Sequence, residues 1–242
     1  IALRFEQTPL AATALALLLR GSENRSVEEG LVAESAAYST LQAGPEFTRW
    51  RAAHAIRDRP VETEPAVRVE RIGDVIVVRL SRPHVRNAFS ARMRDELLEA
   101  LGVAQADPGL TVELRGDGPS FSAGGDLDEF GTRPDPATAH LARLKASPAR
   151  VIASLRDRVT AYLHGACYGS GIELPAFAGR VIAARDTQIA LPELHLGLIP
   201  GAGGTVSIVR RIGRHRTASL VLSGRAIDAP TALEWGLVDA IE

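Results

Sequence analysis

The rhythm of apolar and polar positions changes once along the chain, near residue 66. Before that point the spacing is helical. Residues 10–20 are dense in Leu and Ala, strong helix formers with no β-branched run among them. Ser26-Val27-Glu28-Glu29 is a capping-box pattern, in which a serine hydroxyl and the carboxylate three residues later each satisfy an open amide at a helix start. It predicts a helix to about Leu41, stopped by Gly44-Pro45. Residues 47–57 predict a third, shorter helix, and DRPVETEP, residues 58–65, a linker.

Beyond residue 66 the apolar positions alternate or fall in short blocks. Val67 and Val69, then Val75 to Leu80 beyond Gly73-Asp74, predict a β-hairpin. Helical patterns over 87–105, 141–156 and 229–234 are interleaved with short strands at 112–115, 160–164 and 181–184. Such alternation predicts an α/β fold with parallel pairing. The expected organisation is a helical segment, residues 1–60, followed by an α/β core, residues 66–242.

Composition narrows the function only by exclusion. The chain has 242 residues, 45% hydrophobic and 24% charged, enough for one large core or two small domains. A net charge of −1 supplies no basic excess for nucleic acid or an anionic membrane, so neither is expected as a partner. The apolar run 9–20 is too short to cross a bilayer and lacks the charged start and cleavage site of a secretory signal. A targeting segment ahead of Ile1 stays open. The sole cysteine, Cys167, cannot form an intrachain disulfide and lies in a buried-strand pattern, which fits a reducing cytoplasm. The six histidines show no ligand spacing, so no metal is expected.

Candidate chemistry concentrates in residues 165–204. Gly169-Ser170-Gly171 precedes Glu173 and is expected to open a helix whose unpaired amides face a pocket. Glu193, behind Pro192 and walled by Leu191, Leu194 and Ile199, is placed for proton transfer. Taken singly, Glu173 reads equally as a helix-start glutamate stabilised by the dipole, and Glu193 as one half of a salt bridge. Gly201, Gly203 and Gly204 are expected to shape the turn behind Glu193. PGAGGT, lacking a following lysine and a preceding strand, is no nucleotide loop.

Three runs at compatible spacing carry a resemblance. They are RPHVRNA at 82–88, GDGPSFSAGGD at 116–126, and residues 165–204 with G-x-x-x-G-x-G-x-E, P-E and L-G-x-x-P-G-x-G-G-T. Together they resemble the crotonase superfamily, also called enoyl-CoA hydratase/isomerase, over residues 67–242 in the usual order. The resemblance implies an α/β spiral of ββα units, assembled as a homo-oligomer, a trimer or a dimer of trimers. It implies an acyl-CoA thioester as substrate and no separate cofactor, coenzyme A being part of the substrate.

The implied reaction is addition of water to a trans-2-enoyl-CoA. By motif position, the amides of Gly125 and Ser170 form the oxyanion hole, Ser170 standing where a glycine is common. Glu173 is the candidate for activating water and Glu193 for proton transfer at the α-carbon. Arg86, Ala88, Ala123, Asp126 and Leu127 are the candidates for holding coenzyme A. His164, where asparagine is frequent, is expected to be a hydrogen-bonded core residue. The alternatives are an isomerase or hydrolase using the same oxyanion hole, or a non-catalytic subunit that binds acyl-CoA. Acyl preference is expected to depend on residues 128–145, with RPDP at 133–136 a mobile loop.

One departure concerns order. The family's core is followed, after a G-L-V segment, by a helical tail, and here that segment is Gly236-Leu237-Val238. Pro9-Leu10-Ala11, Val27 to Leu31 and Glu34-Ser35 look like the same tail, but N-terminal to the core. This implies a permuted order, or the tail of an upstream unit; a plain amphipathic extension is the alternative. In the first two cases the helices complete the architecture in cis or cover a neighbouring subunit.

Overall fold

The computed structural model describes residues 2–57 and 62–242. Four helices come first: α1 (Ala2–Gln7), α2 (Pro9–Arg20), α3 (Val27–Gln42) and α4 (Pro45–Ala53). The capping box is present. Ser26 Oγ accepts from the Glu29 amide at 3.2 Å and Glu29 Oε2 accepts from the Ser26 amide at 2.8 Å, an arrangement that stabilises a helix by about 1 kcal/mol. The start of α2 is held from a distance, by buried Glu46, whose carboxylate accepts from the amides of Leu10 and Ala11 at 2.7 and 3.0 Å. Residues 58–61 of the expected linker lie outside the described residues.

The core follows as β1 (Val67–Ile72), β2 (Val75–Leu80), α5 (Ala91–Ala106), β3 (Thr111–Gly116), α6 (Pro136–Lys145), α7 (Pro148–Ser154), β4 (Val159–Leu163), β5 (Ala166–Tyr168) and α8 (Ser170–Glu173). It continues with β6 (Arg180–Ala183), β7 (Gln188–Ala190), α9 (Gly204–Ser223), β8 (Ile227–Asp228), α10 (Ala229–Trp235) and β9 (Ala240–Ile241). A six-stranded sheet has the order β1-β2-β3-β4-β6-β9, and only its β1–β2 hairpin is antiparallel. A second sheet has the order β5-β7-β8. Parallel bridges Phe89–Gly125 and Ser122–Cys167 extend this second layer. Each pass of the chain thus lays a strand on the large sheet, then a short extended piece on the small one, then a helix. This is the ββα spiral that the sequence motifs imply.

The first helices are not a separate body. Leu15, Leu19, Leu31 and Phe47 belong to the same buried cluster as Val112, Leu114, Ile172 and Ile208. Helix α3 packs on α6 and α9. Its approach to α9 is so close at Gly30 that a β-carbon there would lie 2.7 Å from Val206 Cγ2.

Three predicted boundaries differ, the first being the third helix, expected over residues 47–57 and found as α4 over Pro45–Ala53. Helix α5 begins at Ala91, not at residue 87, because Arg86 and Asn87 adopt positive φ of 54° and 53°. Asn87 is fully buried and serves as a fastener: its amide nitrogen donates to the carbonyls of Asp117, Ser120 and Phe121. Its Oδ1 accepts from the Arg82 amide at 2.7 Å. The helix predicted over 141–156 is two, α6 and α7, since Pro148 disfavours helical geometry at Ser147 before it. The RPDP run is where α6 begins, Asp135 capping it and Pro136 opening it.

Candidate active site

A cavity of about 900 Å³ opens between the core and the first helices. Its floor is built where strands run out. The Ser122 amide donates to the Ala166 carbonyl at 3.1 Å and the Tyr168 amide to the Ser122 carbonyl at 3.0 Å. On the other flank, the Phe89 amide donates to the Gly124 carbonyl and the Asp126 amide to the Phe89 carbonyl. These ladders leave out the amides of Gly125 and Ser170, and neither donates to any group among the described residues. Both residues line the cavity.

The small sheet delivers the carboxylates. After β5 the Gly169 amide donates to the Ala190 carbonyl at 3.0 Å, and the chain turns through φ +49° into the single turn of α8, which ends in Glu173. After β7, Leu191 and Pro192 carry the chain to Glu193. A β-carbon at residue 169 would lie 2.6 Å from Glu193 Oε1 and 3.8 Å from Glu173 Oε1. Both carboxylates therefore converge on the bare α-carbon of a glycine, and the positive φ excludes a side chain there as well. Both glutamates are buried, at 2% and 8% exposure.

Their environments differ. Glu173 Oε2 accepts from the amides of Ala202 and Gly204 at 2.8 and 2.9 Å. Burial raises its pKa to about 7 against the opposing pull of those amides. The donors facing Glu173 are thus those of the 201–205 turn that opens α9, not those of its own short helix. Gly201, Gly203 and Gly204, expected behind Glu193, shape the cradle of Glu173: a β-carbon on Gly204 would lie 2.8 Å from Glu173 Cγ. Among the described residues Glu193 has no arginine partner, and its Oε2 is buried without a hydrogen bond, as is Ser170 Oγ. Burial first, then the neighbouring Glu173 charge, pushes Glu193 well above the ordinary carboxylate range.

A third carboxylate, Glu34 of α3, joins them although its sequence motif did not mark it as chemical. It is 2% exposed and accepts from the Gly203 amide at 2.7 Å, the Thr205 amide at 2.8 Å and Thr205 Oγ1 at 2.7 Å. Burial and the Glu173 charge raise its pKa to about 8. The signal in the sequence is an acid at a position of α3 that helical spacing groups with Leu31, Tyr38 and Leu41. Tyr38 lies against Gly201, whose β-carbon would meet its ring at 2.5 Å. Leu31, Glu34, Ser35, Tyr38, Gln42 and Phe47 all line the cavity, so α3 and α4 wall it within the same chain.

The remaining candidates divide. Ala123, Asp126 and Leu127 line the cavity. The Asp126 carboxylate, however, pairs with buried Arg82 at 3.0 Å, and Arg82 also pairs with Glu62 at 2.6 Å. Arg86 and Ala88 are not on the cavity wall; the Arg86 carbonyl accepts from the Ala123 amide at 2.9 Å, so it supports the loop from behind. His164 Nε2 bonds the Gly118 carbonyl at 2.9 Å, away from the cavity. No group of three or more His, Cys, Asp or Glu among the described residues is placed to hold a metal ion. No helix among them is long and apolar enough to cross a membrane.

Residues 70–242 match the family model "Enoyl-CoA hydratase/isomerase". The chain belongs to the enoyl-CoA hydratase/isomerase family. Among curated relatives, the 2,3-dehydroadipyl-CoA hydratase of Escherichia coli K12 is 33% identical over 180 residues, covering 72% of this chain and 68% of the relative. The mitochondrial enoyl-CoA hydratase of Pongo abelii is 32% identical over 166 residues, covering 68% and 57%. A crystal structure of an enoyl-CoA hydratase from Thermoplasma volcanium superposes with a TM-score of 0.68 at 35% identity, covering 74% of this chain and 72% of that one. The chain spans 57% to 69% of the length of such curated relatives. Helices α1 to α4 lie outside the family match, although α3 and α4 supply a wall of the cavity.

Proposed function

We propose that this protein is an enoyl-CoA hydratase that adds water to a trans-2-enoyl-CoA. The observation that carries the reading is the convergence of two buried carboxylates on Gly169, beside the two free amides of Gly125 and Ser170. A thioester oxygen between those amides gains fixed donors as the substrate becomes enolate-like, without solvent having to reorganise. Water held between the carboxylates faces the β-carbon. Glu173, whose carboxylate is held by the amides of Ala202 and Gly204, is the base that takes a proton as the oxygen attacks. Glu193, held protonated by burial and by its charged neighbour, delivers its proton to the α-carbon. The double bond is consumed, one proton has moved to carbon and one to Glu173, and return of a proton from Glu173 to Glu193 resets the site. Because the two carboxylates titrate as a pair, the division of roles rests on their order of ionisation.

Coenzyme A is assigned to the loop 123–127, where Leu127 and the cavity face of Ala123 are available. Glu34 is assigned a positioning role, fixing the turn whose amides hold Glu173. Homo-oligomeric assembly belongs to the same reading and is checked by sedimentation. The test of the reaction is the loss of enoyl-thioester ultraviolet absorbance on mixing with crotonyl-CoA. Rapid loss that Glu173→Gln abolishes supports hydration. Binding of crotonyl-CoA without turnover overturns it in favour of an isomerase, a hydrolase or a non-catalytic acyl-CoA-binding subunit, the first of which is separated by trans-3-enoyl-CoA as substrate.

A further inference from the structure

Arg143 is the feature of the cavity that the hydration chemistry leaves unused. It projects from α6 and lines the cavity with Ser35, Tyr38 and Gln42 of α3. Its Nε donates to Ser35 Oγ at 3.0 Å and its Nη1 to Gln42 Oε1 at 3.4 Å. Its Nη2 donates to the Ser35 carbonyl at 3.3 Å and to Ser39 Oγ. Every acceptor is neutral. No Asp or Glu among the described residues lies within ion-pair distance of it, whereas Arg82 has both Glu62 and Asp126, and Arg211 has Asp239. Glu34 is the carboxylate whose field reaches Arg143, but both its oxygens are occupied by the donors of Gly203 and Thr205.

A guanidinium in a partly desolvated cavity with only neutral acceptors is left without a direct ion pair among the described residues. Two donors remain beside it. One Nη1–H is unused by the four bonds above, and the Tyr38 hydroxyl has no hydrogen-bond partner among the described residues, while the guanidinium lies 4.8 Å from the centre of the Tyr38 ring. Tyr38 places this pair relative to the chemistry, since its ring rests on Gly201, next to the Ala202 amide that holds Glu173. The polar pair thus stands on the Glu173 side of the cavity, while Gly124 of the loop 123–127 lies against Gly169, where the carboxylates meet. The lining also includes the apolar side chains of Phe47, Phe89, Phe130, Leu144 and Ala149, along with the charged side chains of Arg94, Glu129, Arg133 and Asp135.

We propose that Arg143 and Tyr38 receive an anionic group at the far end of the acyl chain, so that the favoured substrate is an enoyl thioester ending in a carboxylate. This rests on the hydratase reading for its reaction, not for its binding site. The one free guanidinium N–H and the hydroxyl can each donate to one oxygen of a carboxylate, whose negative charge would pair directly with the guanidinium. A hydrocarbon tail would leave the charge as it is.

The experiment compares two thioesters of equal length, 2,3-dehydroadipyl-CoA and trans-2-hexenoyl-CoA, as kcat/KM with the wild-type protein and with Arg143→Gln, Arg143→Lys and Tyr38→Phe. The expected wild-type preference for the carboxylate-ended substrate is about tenfold or more, the size of one charge-assisted contact. Arg143→Gln should reduce that ratio at least about fivefold through KM, and Arg143→Lys should restore part of it. Binding of adipyl-CoA, hexanoyl-CoA and coenzyme A itself, measured by calorimetry, runs in parallel and needs no turnover. If neither enoyl thioester is hydrated yet adipyl-CoA binds about tenfold more tightly than hexanoyl-CoA, the acyl-end site stands and the hydratase reading falls. A wild-type ratio near one, in binding or in turnover, overturns the proposal. So does an Arg143→Gln effect of equal size on coenzyme A alone, which would make Arg143 a phosphate contact. The wild-type ratios decide the matter even if a variant does not fold.

Discussion

Glu34 and Glu173 grip alternate amides of one turn: Glu173 takes Ala202 and Gly204, and Glu34 takes Gly203 and Thr205. Four successive N–H groups at the start of α9 are thereby shared between a residue of the α/β core and one from the first helices. The turn cannot shift toward either carboxylate without breaking bonds to the other. The cavity wall made by α3 is therefore also part of what holds Glu173 in place.

Removing that second grip has a separable signature. Glu34→Ala leaves the Gly203 and Thr205 amides buried without acceptors and should cost about 1–3 kcal/mol of stability by denaturant unfolding. Glu34→Gln keeps the volume but removes an ionisable group whose charge, formed as pH rises through about 8, raises the proton affinity of Glu193. Its kcat/KM profile against pH should move to lower pH, an effect that a purely structural role would not produce.

The two convergent carboxylates should be indispensable in different ways from their surroundings. Glu173→Gln and Glu193→Gln are each expected to lower kcat by about 10²–10⁴-fold, with circular dichroism unchanged, because glutamine fills the same space but cannot exchange the proton. An undiminished rate in either variant would remove that residue from the mechanism.

Gly169→Ala tests convergence itself. The new β-carbon would enter 2.6 Å from Glu193 Oε1 at a residue with φ +49°. Turnover should fall by at least about 10²-fold, and the melting temperature should drop as the left-handed backbone is strained by roughly 1 kcal/mol or more. An active, stable alanine variant would mean that the carboxylates do not meet at this point.

Stability should decrease with rising pH across the neutral range. Glu34 and Glu173 have folded pKa values raised to about 8 and about 7, and Glu193 is raised in the same direction. Unfolded glutamates titrate near about 4.3, so between these limits the native state binds more protons than the unfolded one. Stability is full below the unfolded pKa and is lost as pH rises through the folded values, by on the order of a few kcal/mol in total. Urea unfolding at pH 5, 7 and 9 should show this fall, and Glu173→Gln should flatten it. A rise in stability from pH 5 to 9 would contradict the buried, unpaired state of the cluster.

Whatever depends on neighbours along the chain was legible from the residues alone. The capping box of α3, the β1–β2 hairpin, the alternation of short strands and helices, and the glycine motifs around Glu173 and Glu193 are all local patterns. Local pattern misplaced the start of α5, because the left-handed pair Arg86-Asn87 is held by carbonyls some thirty residues away in the 117–121 loop. It did not show α9, whose charged run around Arg210-Arg211 and the break at Gly213 disguise a helix with a buried first half. It placed the glycine turn 201–204 behind Glu193, whereas the fold turns those amides toward Glu173. Glu34 lies 139 residues from Glu173, and Arg143 faces Tyr38 across two helices. Only the packing of α3 on α6 and α9 brings these groups to one cavity. Which acid meets which amide, and which acceptors surround Arg143, are long-range facts set by packing, and a local pattern of residues carries no record of them.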